Sequence, residues 1–312
     1  MPSSHHALAV PFQRPRVLIV GCGDIGMRVL QQLTRFQAYR VFALTSQSSR
    51  FPEIRAMGAI PMLGNLDQID TLWRLRGLAS TVVHLAPPQQ TGASDLRTQN
   101  LLRILSQGAV TVRRLVYVST TGVYGDCGGG DAIETTTANP QSERAMRRWD
   151  AEWQLRQWAL LHHVRLSILR VPGIYDANRL PTERIKAGTP ALLPEVDAYS
   201  NHIQADDLAR IVSAAIYHGK PQRVVNACDG AQTKMGDYFD QVADAFGLER
   251  PPRLPADQVQ QLVSPMLWSF MRESRRVGND RLNELKVQLR YPSTQAFLSE
   301  LTSRNPSGQL RD

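Results

Sequence analysis

The stretch that most constrains this chain is Arg16-Val-Leu-Ile-Val-Gly-Cys-Gly-Asp-Ile-Gly-Met-Arg-Val-Leu30, where a short apolar run gives way to glycines and then to an amphipathic run. Residues 17–20 read as a buried parallel strand. Gly21, Gly23 and Gly26 form G-x-G-x-x-G, and Met27, Val29, Leu30 and Leu33 supply the apolar side of a helix. Each glycine has a physical task in such a turn: Gly21 permits the tight strand-to-helix reversal, Gly23 leaves no side chain in the way of a pyrophosphate, and Gly26 lets helix and strand approach. Backbone N–H groups at the positive end of the helix then receive the phosphates. With Cys22, Asp24 and Ile25 the loop is predicted to hold a dinucleotide; a plain structural turn is the competing reading.

The 312 residues suit one large or two modest domains with ample core. Residues 7–12 form a short apolar patch with no Lys or Arg before it, so residues 1–15 are expected to be a loose arm rather than a signal peptide or membrane span. Cys22, Cys127 and Cys228 are scattered and lack metal-ligand spacing, which points to a reducing compartment and a cytoplasmic location. A net charge of +8 raises the question of nucleic acid. The basic residues are spread along the chain without an aromatic-basic motif, so a small anionic ligand is the expected partner. Only four of the 36 basic residues are lysines, at positions 186, 220, 234 and 286.

Residues 40–44 read as a second strand, after which a dinucleotide fold often carries an acidic residue for the adenosine ribose. Here the strand runs into Thr45-Ser-Gln-Ser-Ser-Arg50. The hydroxyls of Thr45 and Ser46 and the Arg50 guanidinium suit a 2′-phosphate, favouring NADP over NAD. Arg50 as a solvated residue opening the next helix is the other reading. Residues 59–63 and 81–85 read as third and fourth strands. The loops that follow make Asn65, Leu66, Leu85, Ala86 and Pro87 candidate neighbours of adenine and ribose. His84 sits in an apolar strand and reads as a core residue. A helix over 96–106 and a fifth strand over 114–118 lead into Ser119-Thr-Thr-Gly-Val-Tyr-Gly-Asp126.

The glycine loop, His84-Leu-Ala86, Val116-Tyr-Val-Ser-Thr-Thr-Gly-Val-Tyr-Gly125 and Asp206-Asp-Leu-Ala209 together resemble the extended short-chain dehydrogenase/reductases, the NAD-dependent epimerase/dehydratase family, over roughly residues 16 to 300. The resemblance implies a serine or threonine that holds the reacting oxygen, and its motif places Thr120 there. It also implies Tyr-x-x-x-Lys on the next long helix. Aligning that helix through Glu152 puts Arg144 at the tyrosine position and Arg148 at the lysine position. No other register restores the pair, because the residues four places before the lysines are Thr182, Ile216, Gly230 and Leu282. An ordinary tyrosine titrates near ~10 and needs a neighbouring cation to act near neutral pH. Arginine can still bond a ribose or phosphate but is a poor proton shuttle. Tyr124 and Tyr175 are the candidate substitutes.

The chain thus resembles an atypical branch of that family, of nucleoside-diphosphate-sugar epimerase-like proteins. By resemblance, Val118 and Arg148 flank the cofactor, Pro172 and Ile174 lie over the nicotinamide, and the helix over 142–162, with Trp149, Trp153 and Trp158, forms a homodimer contact; ordinary core packing competes for the tryptophans. A sixth strand spans 164–170, a helix 208–218 opens on the capping pair Asp206-Asp207, and 223–227 returns as a final strand. His202 is a candidate substrate contact or a surface residue. The segment 273–281, with Arg275, Arg276 and Arg281, is expected to bring cations to the crevice.

The expected architecture is α/β, a doubly wound parallel sheet of Rossmann type with a small C-terminal substrate lobe. Residues 16–175 form the dinucleotide-binding domain. Residues 176–312 form mainly the lobe, with 201–228 returning to the sheet. The expected activity is that of an NADP(H)-binding epimerase/dehydratase-like or reductase-like protein acting on a small anionic substrate such as a sugar nucleotide. A catalytically inactive NADP-binding redox sensor or regulatory protein is the alternative.

Overall fold

A computed structural model describes residues 14–35, 37–108 and 111–304. Most of the expected N-terminal arm lies outside them. The central sheet consists of β1 (Arg16–Val20), β2 (Arg40–Thr45), β3 (Ile60–Leu63), β4 (Thr81–His84), β5 (Arg114–Thr120), β6 (Arg165–Val171) and β7 (Arg223–Asn226). All seven are parallel, in the spatial order β7-β6-β5-β4-β1-β2-β3. This is a doubly wound sheet of Rossmann type. Its strand order reverses between β1 and β4, which opens a crevice at their carboxyl ends.

The pleat divides the core into two layers. Val17 and Ile19 face α1 (Asp24–Arg35) and α6 (Ala205–His218), with Ile54 of α2 (Phe51–Ala56) in the same layer, whereas Leu18 and Val20 face α3 (Leu96–Leu105) and α4 (Glu143–Leu161). Burial on both faces explains why these strands are continuous apolar runs rather than alternating ones. α6 begins at Ala205, three residues before the expected start. Gln204, not Asp206-Asp207, caps it, its Oε1 accepting the Asp206 and Asp207 N–H groups at 2.6 and 3.1 Å. The two aspartates serve elsewhere: buried Asp207 accepts the Arg290 and Tyr291 N–H groups, and Asp206 pairs with Arg28 of α1.

The second lobe is built by α5 (Thr182–Lys186), α7 (Met235–Phe246), α8 (Ala256–Leu262), α9 (Pro265–Met271) and α10 (Thr294–Arg304). Tyr238, Phe239 and Val242 pack with Tyr291, Phe297 and Leu298 in one cluster, and Val259, Leu267 and Met271 form another. The lobe hangs beside the carboxyl end of the sheet, joined by the short parallel pairing of Gly173–Tyr175 with His202–Gln204. Among the described residues no helix is long and apolar enough to cross a membrane.

Candidate cofactor and substrate site

The glycine loop lies in the β1–β4 crevice, and its three glycines answer to different neighbours. Gly21 has φ +94°, and a Cβ there would stand 2.4 Å from the Ala86 nitrogen. A Cβ on Gly26 would stand 2.5 Å from the Gly21 carbonyl oxygen. Both positions are therefore closed by the protein's own backbone. Gly23 is exposed and a Cβ there meets nothing within 4 Å. Among the described residues nothing requires glycine at 23, and the open space beside it, at the amino end of α1, is where an anion would meet free N–H groups. The loop therefore fits a dinucleotide.

The surrounding loops converge on it. Leu85 and Ala86 donate their N–H groups to the Val20 carbonyl at 2.8 and 3.0 Å. Arg50 bonds the Cys22 carbonyl and reaches Glu53 at 3.1 Å, so its guanidinium is laid across the loop rather than free in solvent. Thr45 is buried at the end of β2, Ser46 is exposed beside it, and Asn65 is half-buried after β3. Exposed Pro87 gives its carbonyl to Arg97, which also grips Asp67 through two 2.7 Å bonds. Two expected contacts have their side chains turned away. The Cys22 thiol points into the core, 3.6 Å from the Met27 sulfur and pushed up to about 11 by burial. Leu66 is buried and presents its carbonyl to Asn100. Asp24 pairs with Arg28 at 3.0 Å and with Arg179 at 3.1 Å, and half-buried Ile25 packs against the core.

A cavity of about 850 Å³ opens where β5 and β6 end and the second lobe begins. Val118, Thr120, Arg148, Pro172 and Ile174 line it. The Thr120 hydroxyl accepts the Gly122 N–H at 3.1 Å, leaving its own proton available toward the cavity. Arg148 donates to the Val118 carbonyl at 2.8 Å and to the Tyr117 hydroxyl at 3.3 Å.

Tyr124 requires correction. It is 1% exposed, does not line the cavity, and donates to Asn226 Oδ1 at 2.7 Å beneath the Arg170 guanidinium. Burial raises its phenol, against the opposing pull of the Arg170 cation, and the hydroxyl is directed to Asn226 rather than to the cavity. Tyr175, by contrast, lines the cavity, although it is 1% exposed and donates to the Ser293 carbonyl at 3.3 Å. The cations of 273–281 divide: Arg275 lines the cavity, whereas Arg276 and Arg281 pair with Asp131 and Glu134. His84 is fully buried with its Nε2 3.0 Å from the Thr98 hydroxyl.

His202 is a cavity residue, not a surface one. Its ring lies 4.3 Å from that of Tyr238, its Nε2 is 3.1 Å from the Ser200 hydroxyl, and burial lowers it to about 4, so it is neutral near pH 7. A Cβ on Gly173 would stand 3.3 Å from that ring, which accounts for a glycine at the head of this strand. Arg144, Arg179 and Arg184 also face the cavity, and nothing in their spacing marked Arg179 or Arg184 in advance.

The model of the NAD dependent epimerase/dehydratase family matches residues 17–228. The chain belongs to that family. Protein YeeZ of Escherichia coli (strain K12) is 26% identical over 251 residues, spanning 76% of this chain and 85% of that one. A functionally unknown conserved protein from Silicibacter pomeroyi DSS superimposes with a TM-score of 0.75 at 26% identity, covering 93% of this chain and 99% of its own. The UDP-glucose 4-epimerase of Thermotoga maritima, solved with UDP-glucose, shares the fold with a TM-score of 0.72 at 19% identity, covering 93% and 99%.

Proposed function

We propose that the protein binds NADP(H) on the glycine loop and acts, as an epimerase/dehydratase or reductase, on a small anionic substrate in the 850 Å³ cavity. The single observation behind this reading is the unobstructed space at Gly23, which the packing of the chain does not itself demand. The cofactor supplies the hydride acceptor or donor. Thr120 orients the reacting oxygen, Arg148 holds the end of β5 and faces the ribose, and Pro172 and Ile174 exclude water from the ring. Arg50 reads the 2′-phosphate.

Separate titrations of cofactor-stripped protein with NADPH and NADH test this. Arg50→Ala is expected to weaken NADPH by about ten- to a hundredfold, the size of a lost charge-assisted hydrogen bond, with NADH little changed. Failure of wild type to bind either nucleotide overturns the reading. A second reading, an NADP-binding sensor without turnover, is favoured by the burial of Tyr124 and the two arginines at the tyrosine and lysine positions. Nicotinamide absorbance changes with any sugar nucleotide or carbonyl compound exclude it.

We further propose that a second copy packs on α4. Of its three tryptophans only Trp153 is well exposed, at 55%; Trp158 donates to Ser106 at 2.8 Å and Trp149 is half-buried near Arg170. Met146, Trp153 and Leu160 repeat at helical spacing on the outward side. Trp153→Glu is expected to convert a dimer to monomer in light scattering after size exclusion; a wild-type monomer at micromolar concentration removes the proposal.

A further inference from the structure

Among the described residues the cavity wall carries five arginines, two glutamates and no lysine. Both glutamates are taken: Glu183 pairs with Lys186 at 2.8 Å and Glu273 with Arg275 at 2.8 Å. Three arginines are taken as well, Arg148 by the Val118 carbonyl, Arg179 by Asp24, and Arg275 by Glu273 and the Gly125 carbonyl. Arg144 and Arg184 differ. Among the described residues neither donates a hydrogen bond nor pairs with a carboxylate. Each instead rests on an aromatic ring of the second lobe, Arg144 at 4.1 Å from the Phe270 centroid and Arg184 at 5.9 Å from that of Phe239.

A guanidinium presents five N–H donors in a planar fork that carboxylate or phosphate matches two at a time. Partial desolvation lowers the pKa of both of these guanidinium groups although both stay exposed; for Arg144 the Glu273 carboxylate opposes the shift, and Arg148, Arg275 and Arg147 add to it. Both side chains are exposed at the cavity, so each guanidinium can meet a bound anion without first giving up a protein partner. Thr120 and Arg144 line the same cavity. The next residue, Ala145, lies 3.7 Å from where a Gly122 Cβ would stand, and Gly122 donates to the Thr120 hydroxyl.

We propose that the reacting portion of the substrate itself carries an acidic group, a carboxylate or phosphate held by Arg144 beside Thr120, and that Arg184 holds a second acidic group of the same molecule. A sugar nucleotide with a neutral sugar leaves Arg144 unmatched, whereas a uronic-acid sugar or a small hydroxy or keto acid satisfies it. The word "reacting" rests on the nicotinamide reading; the anion site does not.

Calorimetric titrations of the full chain with malate, inorganic phosphate and uncharged butanetriol, each with and without NADPH, test this. Malate or phosphate is expected to bind wild type saturably and butanetriol not at all. Arg144→Ala and Arg184→Ala should each weaken malate at least about tenfold. Arg144→Lys should recover part of the loss, since lysine keeps the charge but not the fork. The tighter of the two anions identifies the group. Arg144→Gln carries the same comparison should the alanine variant fold poorly. No saturable binding of either anion up to about 20 mM, or malate binding unchanged in Arg144→Ala, overturns the proposal. Anion binding without NADPH binding overturns the cofactor reading alone, and NADPH binding without anion binding overturns this inference alone.

Discussion

Glu152→Ala is expected to destabilise the folded chain by about 3–5 kcal/mol, because it strands a buried cation. Glu152 is fully buried under the sheet end. It accepts from Arg170 Nε at 3.1 Å and Nη2 at 2.9 Å and from the Ser119 hydroxyl at 2.7 Å, with Arg156 at 3.4 Å. One carboxylate therefore ties α4 to both β5 and β6. Arg170 is 3% exposed, its Nη1 already lacks a hydrogen-bond partner, and among the described residues Glu152 is the carboxylate it pairs with. Urea unfolding followed by circular dichroism measures the loss; a change below about 1 kcal/mol would show that water reaches Arg170 and that the network is weaker than its burial implies.

Gly23→Ala should leave folding intact and weaken NADPH on the order of a hundredfold, about 2.7 kcal/mol. The added methyl meets no protein atom within 4 Å, so any cost falls on what occupies that space. Gly26→Ala makes the contrast. Its methyl would lie 2.5 Å from the Gly21 carbonyl, so stability and binding should fall together. Paired thermal unfolding and calorimetric titration separate the two. Unaltered NADPH affinity in Gly23→Ala would falsify the assignment of the loop to the pyrophosphate.

Much of the sheet was legible because its information is local. A strand buried on both faces must be a continuous apolar run, and Val17 to Val20 satisfy that before any partner is known. The start of α6 was not legible in the same way. Asp206 and Asp207 look like caps, but Gln204 takes the first free N–H groups, while Asp206 is engaged by Arg28, 178 residues earlier. Likewise the three tryptophans of α4 are equivalent in sequence and only the neighbours of each, Ser106 for Trp158 and Arg170 for Trp149, distinguish them from exposed Trp153.

The sequence alone determined the nucleotide-binding turn, the run of parallel strands, and the absence of Tyr-x-x-x-Lys, since each depends on residue identity and short spacing. The tertiary structure decided which hydroxyls and cations face the cavity. Tyr124 was withdrawn to Asn226 across 102 residues, while His202, Arg179 and Arg184 were brought to the wall. The physical reason is that exposure and charge compensation belong to pairs of groups. Whether an arginine is spent on a carboxylate or left for a ligand depends on segments that meet only when the lobe closes against the sheet.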